Sequence, residues 1–240
     1  MADPIHQFKI KKIYPLELNN VDISFTNSSL FMILTVSFIS LLLILSIRNK
    51  RIIPTRLQSI SEIFYEFISN MINDNIGSKG QKFFSLIFTL FTFILFGNLF
   101  GLLPYSFTFT SHIIVTFVLA MFIFLFVTLI GVFVHGFKFF GLFVPKGVPI
   151  AMLPLMVPIE IISYLSRPIS LSIRLFANMM AGHTMLKVFA GFIFSLGVFG
   201  IAPLIVDVAL TAFEVLVAFL QAYVFTVLTC LYLNDAINLH

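Results

Sequence analysis

Ser170-Leu-Ser-Ile-Arg-Leu-Phe-Ala-Asn-Met-Met-Ala-Gly-His183 is a stretch apolar enough for the interior of a lipid bilayer, except that it contains Arg174. An uncompensated guanidinium at the centre of a membrane helix costs at least about 3 kcal/mol. Arginine also keeps its proton in proteins, so position 174 holds a permanent positive charge. Such a charge at membrane depth indicates a role in moving or blocking other charges.

The composition agrees with a membrane setting. Hydrophobic residues make up 60% of the 240 residues, charged residues only 10%, and the mean hydropathy is +1.09. This leaves too little polar surface for a water-soluble domain and predicts a polytopic membrane protein. The single Cys230 excludes an internal disulfide. Residues 1–29 lack the short apolar core of a cleavable signal peptide, so we expect a chain that is unprocessed or nearly so.

Three apolar runs predict the first membrane spans, over residues 30–47, 83–103 and 113–134. Six of the fourteen basic residues lie in the loop 48–82, which predicts that this loop faces the cytoplasm or matrix and that the N-terminal segment 1–29 lies outside. The charge of +4 is thus an orientation signal, and we expect no nucleic-acid partner. Within the loop, apolar residues at helical spacing predict an amphipathic surface helix over 55–76.

The last third of the chain is too long for upright spans. Helices over 158–196 and 201–233 would be about 58 Å and 50 Å long, against a hydrocarbon core of about 30 Å. Either both form a strongly inclined antiparallel hairpin that turns at 197–200, or Pro168 divides the first into two spans. We favour the hairpin, over 150–233. The prediction is an all-α polytopic membrane protein with a single domain, 1–240, of about five membrane helices plus the interfacial amphipathic helix.

Nearly all charged residues at membrane depth fall in this hairpin, with a few uncharged polar residues beside them. They include two sets spaced by seven, which form one stripe along each helix: Glu160, Arg167 and Arg174, and Asp207, Glu214 and Gln221. If Arg174 lies level with Gln221, antiparallel packing sets Lys187 near Asp207, His183 near Glu214 and Glu160 near Asp235, and leaves Arg167 without a partner.

The spacing between Arg174 and His183 leaves one question open. Nine residues place the two side chains about 180° apart on an ideal helix. Either the helix bends near Ala181-Gly182, or the two side chains serve different surfaces.

Three motifs resemble a known family, subunit a of the F-type proton-translocating ATP synthase. They are Arg174-Leu-Phe-Ala-Asn-Met-Met-Ala-Gly182, Gly97-Asn-Leu-Phe-Gly-Leu-Leu-Pro-Tyr105 and Leu220-Gln-Ala-Tyr-Val-Phe-Thr226. The resemblance covers nearly the whole chain. The order His183 then Glu214 is similar to that of mitochondrial members and some bacterial ones. With the Phe-, Ile-, Leu- and Asn-rich composition, it favours the mitochondrial inner membrane over the alternative, a bacterial cytoplasmic membrane.

The resemblance implies a proton-conducting stator subunit with two offset half-channels and an essential arginine, Arg174, facing a rotating ring of carboxylate-bearing hairpin subunits. It implies that Gln221 faces the arginine and that Asn178 lies one turn beyond it. With the predicted topology it assigns His183 and Glu214 to an outer half-channel and Glu160 and Asp235 to an inner one. Lys187, Asp207 and Asn98 are candidate supporting residues, and the resemblance transfers no role to Lys187 or Asp207. The expected partners are the ring, the peripheral stalk, other membrane-sector subunits, lipid and the transported proton.

Other chemistry is not indicated. The sequence contains no P-loop, no Cys/His metal cluster and no Gly-x-Ser-x-Gly motif, so we expect no cofactor and no ATP catalysis on this chain. A self-contained secondary transporter is the alternative function, but it predicts internal repeats, and none is visible. Some of these residues also have a purely structural interpretation. His183 and Glu214 could form a polar packing contact between helices, and Arg167 could have a structural role.

Overall fold

The computed structural model describes residues 8–15, 17–18, 21–22, 24–48, 54–103, 106–143 and 152–238. Within these ranges the chain forms six α-helices: α1 (Asn27–Arg48), α2 (Arg56–Asn75), α3 (Phe84–Gly101), α4 (Ile113–His135), α5 (Leu153–Leu196) and α6 (Ile201–Ile237). Short 3₁₀ turns cover Ser78–Phe83, Phe109–Ser111, Gly136–Phe143 and Gly197–Gly200. The predicted all-α class is confirmed. The motif residues Pro104 and Tyr105, the loop cations Lys50 and Arg51, and the start of the hairpin at 150 lie outside the described residues.

Four described segments are long and apolar enough to cross a membrane: Asn27–Arg48, Ser78–Gly101, Ile113–His135 and Ile201–Ile237. The outside of the bundle carries large apolar side chains, such as Phe133 at 85% exposure and Ile114 at 69%. Exposed apolar side chains on this scale are expected where lipid replaces water. The fold is that of a multi-pass membrane protein.

The last two helices form the predicted hairpin. Helix α5 contains 44 residues and continues through Pro158 and Pro168, so the alternative in which Pro168 divides it into two spans is wrong. Pro168 is buried, and α5 packs along both α4 and α6. Neighbouring helices of this kind compensate for the hydrogen bond that proline removes. The turn begins at Gly197, whose φ of +55° favours glycine.

The amphipathic helix α2 packs its apolar face onto the bundle. Ile68, Met71 and Ile72 are buried in a core that α3, α4, α5 and α6 complete. At its start, α2 is joined to the end of α1 by a hydrogen bond between the Ser46 and Ser61 hydroxyls. These contacts hold α2 against the membrane spans, as expected for a helix at the surface of the bilayer.

We call the two ends of the bundle the upper and the lower end. At the upper end α1 and α4 begin and α3 ends. At the lower end α1 and α4 end and α3 begins, and α6 joins them, since the His135 Nε2–H donates to the Ile237 carbonyl at 3.0 Å. Lys79 also contacts the Asn238 side chain there, at 3.5 Å. The end of α6 and the 3₁₀ turn before α3 therefore lie on one side.

The N-terminal segment contains four short strands that the sequence analysis did not predict. Strand β1 (Lys12–Tyr14) pairs with β4 (Phe25–Thr26), and β2 (Glu17–Leu18) with β3 (Val21–Asp22), both antiparallel. Asn27, the first residue of α1, holds this segment in place. Its side chain accepts a hydrogen bond from the Lys11 amide at 3.1 Å and donates one to the Lys9 carbonyl at 3.3 Å. Residues 8–15 are thereby fixed at the upper end.

Candidate functional site

Arg174 lies on the exposed face of α5. Leu171, Leu175 and Met179 of the same helix are buried in the core. Among the described residues, Arg174 has neither a hydrogen-bond acceptor nor an ion-pair partner. A guanidinium without a counter-charge at membrane depth is unfavourable. Its partner must therefore lie outside the described residues.

The two amides beside Arg174 form a bridge between the helices. Asn178 Nδ2, one turn after Arg174, donates to Gln221 Oε1 of α6 at 2.9 Å. Gln221 is 3% exposed, and its Nε2 group has no partner among the described residues. The prediction placed Gln221 level with Arg174, and the structure places it level with Asn178. The bridge sets α6 directly beside the arginine.

His183 faces the interior of the bundle. It is buried, and its Nε2 lies 3.0 Å from the hydroxyl of Thr108, in the segment between α3 and α4. The Thr108 hydroxyl also lies 3.3 Å from the Gly101 carbonyl, which can only accept. No hydrogen bond joins His183 to Glu214. Because α5 is continuous, the open question is answered in favour of different surfaces: Arg174 faces outward and His183 inward.

Glu214 of α6 is the second buried titratable group. It is 7% exposed, and neither carboxylate oxygen has a hydrogen-bond partner among the described residues. The carboxylate lies against Gly182, where an added Cβ would collide with it. A buried carboxyl without a partner is costly, because it loses its interactions with water. Gly182, the residue before His183, thus provides space for the Glu214 carboxyl.

A cavity of about 630 Å³ opens beside His183 at the upper end. The N-terminal segment, α1, the segment after α3, and α5 form its walls. Thr108, His183 and Lys187 lie in this lining, and Phe8 meets the His183 ring edge-on at 6.3 Å between ring centroids. The cavity leads from the surface of the bundle to the histidine.

The ion pair of the hairpin differs from the predicted one. Asp235 pairs with Arg167 at 3.4 Å, not with Glu160, so the prediction that Arg167 has no partner is wrong. The predicted pair would have joined two carboxylates, whereas Arg167 offers the opposite charge two turns further along α5. The Arg167 guanidinium also lies 5.0 Å from the Tyr164 ring centroid and 4.8 Å from that of Tyr232. Glu160 is half-buried.

The supporting residues occupy three separate places. Asn98 is fully buried, and its Nδ2 lies 3.5 Å from the Ala218 carbonyl, so it links α3 to α6. Lys187 lines the upper cavity. Asp207 Oδ1 is buried near the hairpin turn with no hydrogen-bond partner in the described chain. The pairing of Lys187 with Asp207 stays a prediction.

The sequence analysis missed two features of the site: the contact of Thr108 with His183, and the space that Gly182 leaves for the Glu214 carboxylate. Thr108 lies in Ser106-Phe-Thr-Phe-Thr-Ser-His112, between the predicted spans 83–103 and 113–134, and the sequence analysis assigned this stretch no role. A run of hydroxyl residues between two apolar spans is a signal for a polar cluster at membrane depth. Gly182 was quoted only as part of a motif.

A helical membrane protein is typical of the class that conducts ions or protons when one face carries an arginine without a partner among the described residues and a histidine and a carboxyl are buried behind it. Comparisons with known proteins specify the family. The family model described as ATP synthase A chain matches residues 29–234. ATP synthase subunit a of Pelagibacter ubique is 58% identical, with 100% of this chain and 99% of the relative covered. The same subunit is 60% identical in Rhizobium meliloti (98% and 97% covered) and 55% in Rhodospirillum rubrum (100% of both).

The chain therefore belongs to the ATP synthase A chain family. It is a proton-translocating component of the membrane sector of ATP synthase, and it is not the catalytic subunit. The alternative of a self-contained transporter does not apply. The relatives named above are bacterial, which favours a bacterial membrane and does not support the mitochondrial location expected from composition.

Proposed function

We propose that Arg174 faces a rotating ring of small hairpin subunits, each with one membrane carboxylate. The observation that carries this proposal is the exposed guanidinium of Arg174, which has no partner in the described chain. A ring carboxylate can face lipid only when it is neutral. Beside a fixed cation its ionised form is favoured, so it releases its proton there. Arginine cannot pass that proton on, and it therefore separates two half-channels.

The outer half-channel runs from the upper cavity through His183 to Glu214. Because the Thr108 hydroxyl donates to the Gly101 carbonyl, it accepts from the His183 Nε2–H. Protons are then taken up and released at Nδ1. Glu214, which is buried beside Gly182 and has no hydrogen-bond partner among the described residues, is the next group that can hold a proton. Asp207 and Lys187 support this path on the side of the hairpin turn.

The inner half-channel runs along the lower part of the hairpin, past Glu160 and Asp235. Asp235 is 43% exposed even though it pairs with Arg167, so water can reach it. Asn178 and Gln221 hold α6 beside Arg174, and Asn98 fixes α3 against the same helix. Each proton that passes between the half-channels carries about 2.3 kcal/mol for each 100 mV of membrane potential, which drives rotation.

The partners are the ring, the peripheral stalk and other membrane-sector subunits, and lipid covers the remaining apolar faces. We place the chain in the bacterial cytoplasmic membrane with the N-terminal segment outside and the C-terminus inside. The six basic residues from Arg48, the last residue of α1, to Lys82, just before α3, support a cytoplasmic lower end, and so does the contact of Lys79 with Asn238. An impermeant thiol reagent should label Lys12→Cys from outside intact cells and should label Lys79→Cys only in inverted vesicles; the reverse pattern would contradict this orientation.

Cysteine cross-linking tests the ring-facing surface. Ala177→Cys lies on the exposed face near Arg174, and we expect it to form a disulfide with a cysteine placed beside the ring carboxylate in the assembled complex. The matched control is Ser172→Cys, on the buried face where Ser172 contacts Thr116 at 3.2 Å. Native Cys230 is buried and gives little background. Equal cross-linking of both variants, or of neither, would contradict the proposed face.

A further inference from the structure

The motif at the end of α3 contains two glycines, Gly97 and Gly101, that have no role in the proposed function. Both face residues 106–111, which we call the re-entrant segment. A Cβ added at Gly97 would lie 2.5 Å from the Phe109 ring. A Cβ added at Gly101 would lie 2.6 Å from the Thr108 hydroxyl oxygen. Cβ atoms do not approach other atoms so closely, so a larger residue at either position would displace this segment.

The re-entrant segment turns back into the bundle along α3 and also packs on α4 and α5. Phe109 is 1% exposed, and its ring centroid lies 5.4 Å from that of Phe93. Phe93 stands eight residues before the end of α3 at Gly101, which is about 12 Å along a helix. Irregular backbone at membrane depth is tolerated only where protein buries it or where it lines a water-filled cavity. The segment meets both conditions, because Phe109 is buried while Ser106 and Thr108 line the upper cavity.

Hydroxyl groups of the re-entrant segment lie at the last carbonyls of α3, which have no partner within the helix. The Gly101 carbonyl oxygen lies 2.9 Å from the Ser106 hydroxyl and 3.3 Å from the Thr108 hydroxyl. The same Thr108 oxygen lies 3.0 Å from His183 Nε2. Gly101 therefore contacts the residue that orients the histidine. A shift of Thr108 away from Gly101 would remove the acceptor from His183.

We propose that Gly97 and Gly101 are positioning residues of the outer half-channel, which let the re-entrant segment approach α3 closely enough for the Thr108 hydroxyl to reach His183. This inference rests on the proposed function, in which His183 passes protons. Gly97 sets the depth of the segment through Phe109, and Gly101 sets the position of Thr108 itself. A motif on α3 thereby controls the orientation of a titratable side chain on α5.

A double-mutant cycle of ATP-driven proton pumping in the intact ATP synthase tests Gly101. We expect Gly101→Ala to lower pumping per assembled complex at least about tenfold, because a misplacement of about 1 Å has effects on this scale. In the Thr108→Val background the same substitution should cause less than about a twofold further loss, since the hydrogen bond is already absent while the collision persists. A purely structural role for Gly101 predicts an equal further loss in both backgrounds. Gly191→Ala, where the added Cβ has open space, is the control and should pump normally.

A second pair of variants tests Gly97, and it carries the test if Gly101→Ala does not assemble. Gly97→Ala should also lower pumping, because the added methyl displaces the Phe109 ring. The double variant Gly97→Ala/Phe109→Leu should recover at least about half of the wild-type pumping, since leucine lacks the outer ring atoms that the methyl meets. Phe109→Leu alone measures the cost of the smaller side chain.

Three results would overturn this inference and leave the proposed half-channel in place. The first is normal pumping by assembled Gly101→Ala when Thr108→Val is impaired, and the second is an equal loss from Gly101→Ala in both backgrounds. The third is an assembled Gly97→Ala complex in which Phe109→Leu recovers no pumping. The His183→Ala variant tests the proposed function separately, because it should lose pumping whatever the glycines do. Normal pumping by that variant would contradict the half-channel itself, and the positioning role with it.

Discussion

At the scale of single residues, the site consists of two buried titratable groups held by neighbours that carry no charge. Thr108 orients the His183 ring, and Gly182 leaves space for the Glu214 carboxyl. The sequence was sufficient to select His183 and Glu214 as candidates, because titratable residues stand out in an apolar stretch. It could not identify Thr108, since a contact between positions 108 and 183 depends on how two distant segments pack. It could not decide whether Arg174 and His183 face different surfaces, because the spacing alone also allowed a bend in the helix near Ala181-Gly182.

Thr108→Val tests the orientation of the histidine. Valine has the shape of threonine but cannot accept from the Nε2–H, and a buried donor left without an acceptor costs about 1–3 kcal/mol. We expect ATP-driven proton pumping per assembled complex to fall about tenfold. Thr108→Ser keeps the hydroxyl and should stay within about twofold of the wild type. If valine and serine pump equally well, the hydrogen bond has no role in conduction.

Gly182→Ala tests the space around Glu214. The added Cβ would collide with the carboxylate, so the carboxyl must move or α5 and α6 must separate. We expect proton pumping to fall at least about tenfold while the complex still assembles. The control is Gly191→Ala on the same helix, where an added Cβ meets nothing within 4 Å. That variant should pump normally, and a similar loss in both would trace the effect to glycine itself and not to the Glu214 contact.

At the scale of elements, the hairpin of α5 and α6 carries most of the polar chemistry. Its existence followed from length, because neither apolar run fits an upright span. The register did not follow, since extrapolating one assumed pair along straight helices placed Glu160, and not Arg167, beside Asp235. The N-terminal strands escaped prediction because two- and three-residue strands leave no periodic pattern, and their position depends on Asn27 at the start of α1.

Arg167 is predicted to be structural, as the contact of its guanidinium with Asp235, Tyr164 and Tyr232 indicates. Arg167→Ala should weaken the hairpin by about 1–2 kcal/mol, from the lost ion pair and cation–π contacts. In a chain of this size that corresponds to a melting temperature lower by about 2–4 °C for each kcal/mol. Thermal dissociation of the purified complex measures it. Pumping per intact complex should stay normal, and a complete loss of pumping would place Arg167 in the proton path instead.

At the scale of the whole molecule, the fold separates two surfaces of one long helix. One face of α5 packs into the bundle and lines the path to His183, while the other presents Arg174 outward. This division requires a continuous helix, which Pro158 and Pro168 do not interrupt. In the function we propose, the chain holds protons inside the bundle and meets the moving ring outside it. Neither half of that proposed arrangement works alone, because it needs a carboxylate that the described chain does not supply to Arg174.

The measurement that tests the central claim most directly is ATP-driven proton pumping together with passive proton leak in membranes carrying Arg174→Ala, with assembly of the complex verified. We predict that pumping vanishes, that the complex still assembles, and that leak rises because the fixed cation no longer separates the half-channels. Coupled pumping that persists in the assembled Arg174→Ala complex would contradict the account and make Arg174 a structural residue.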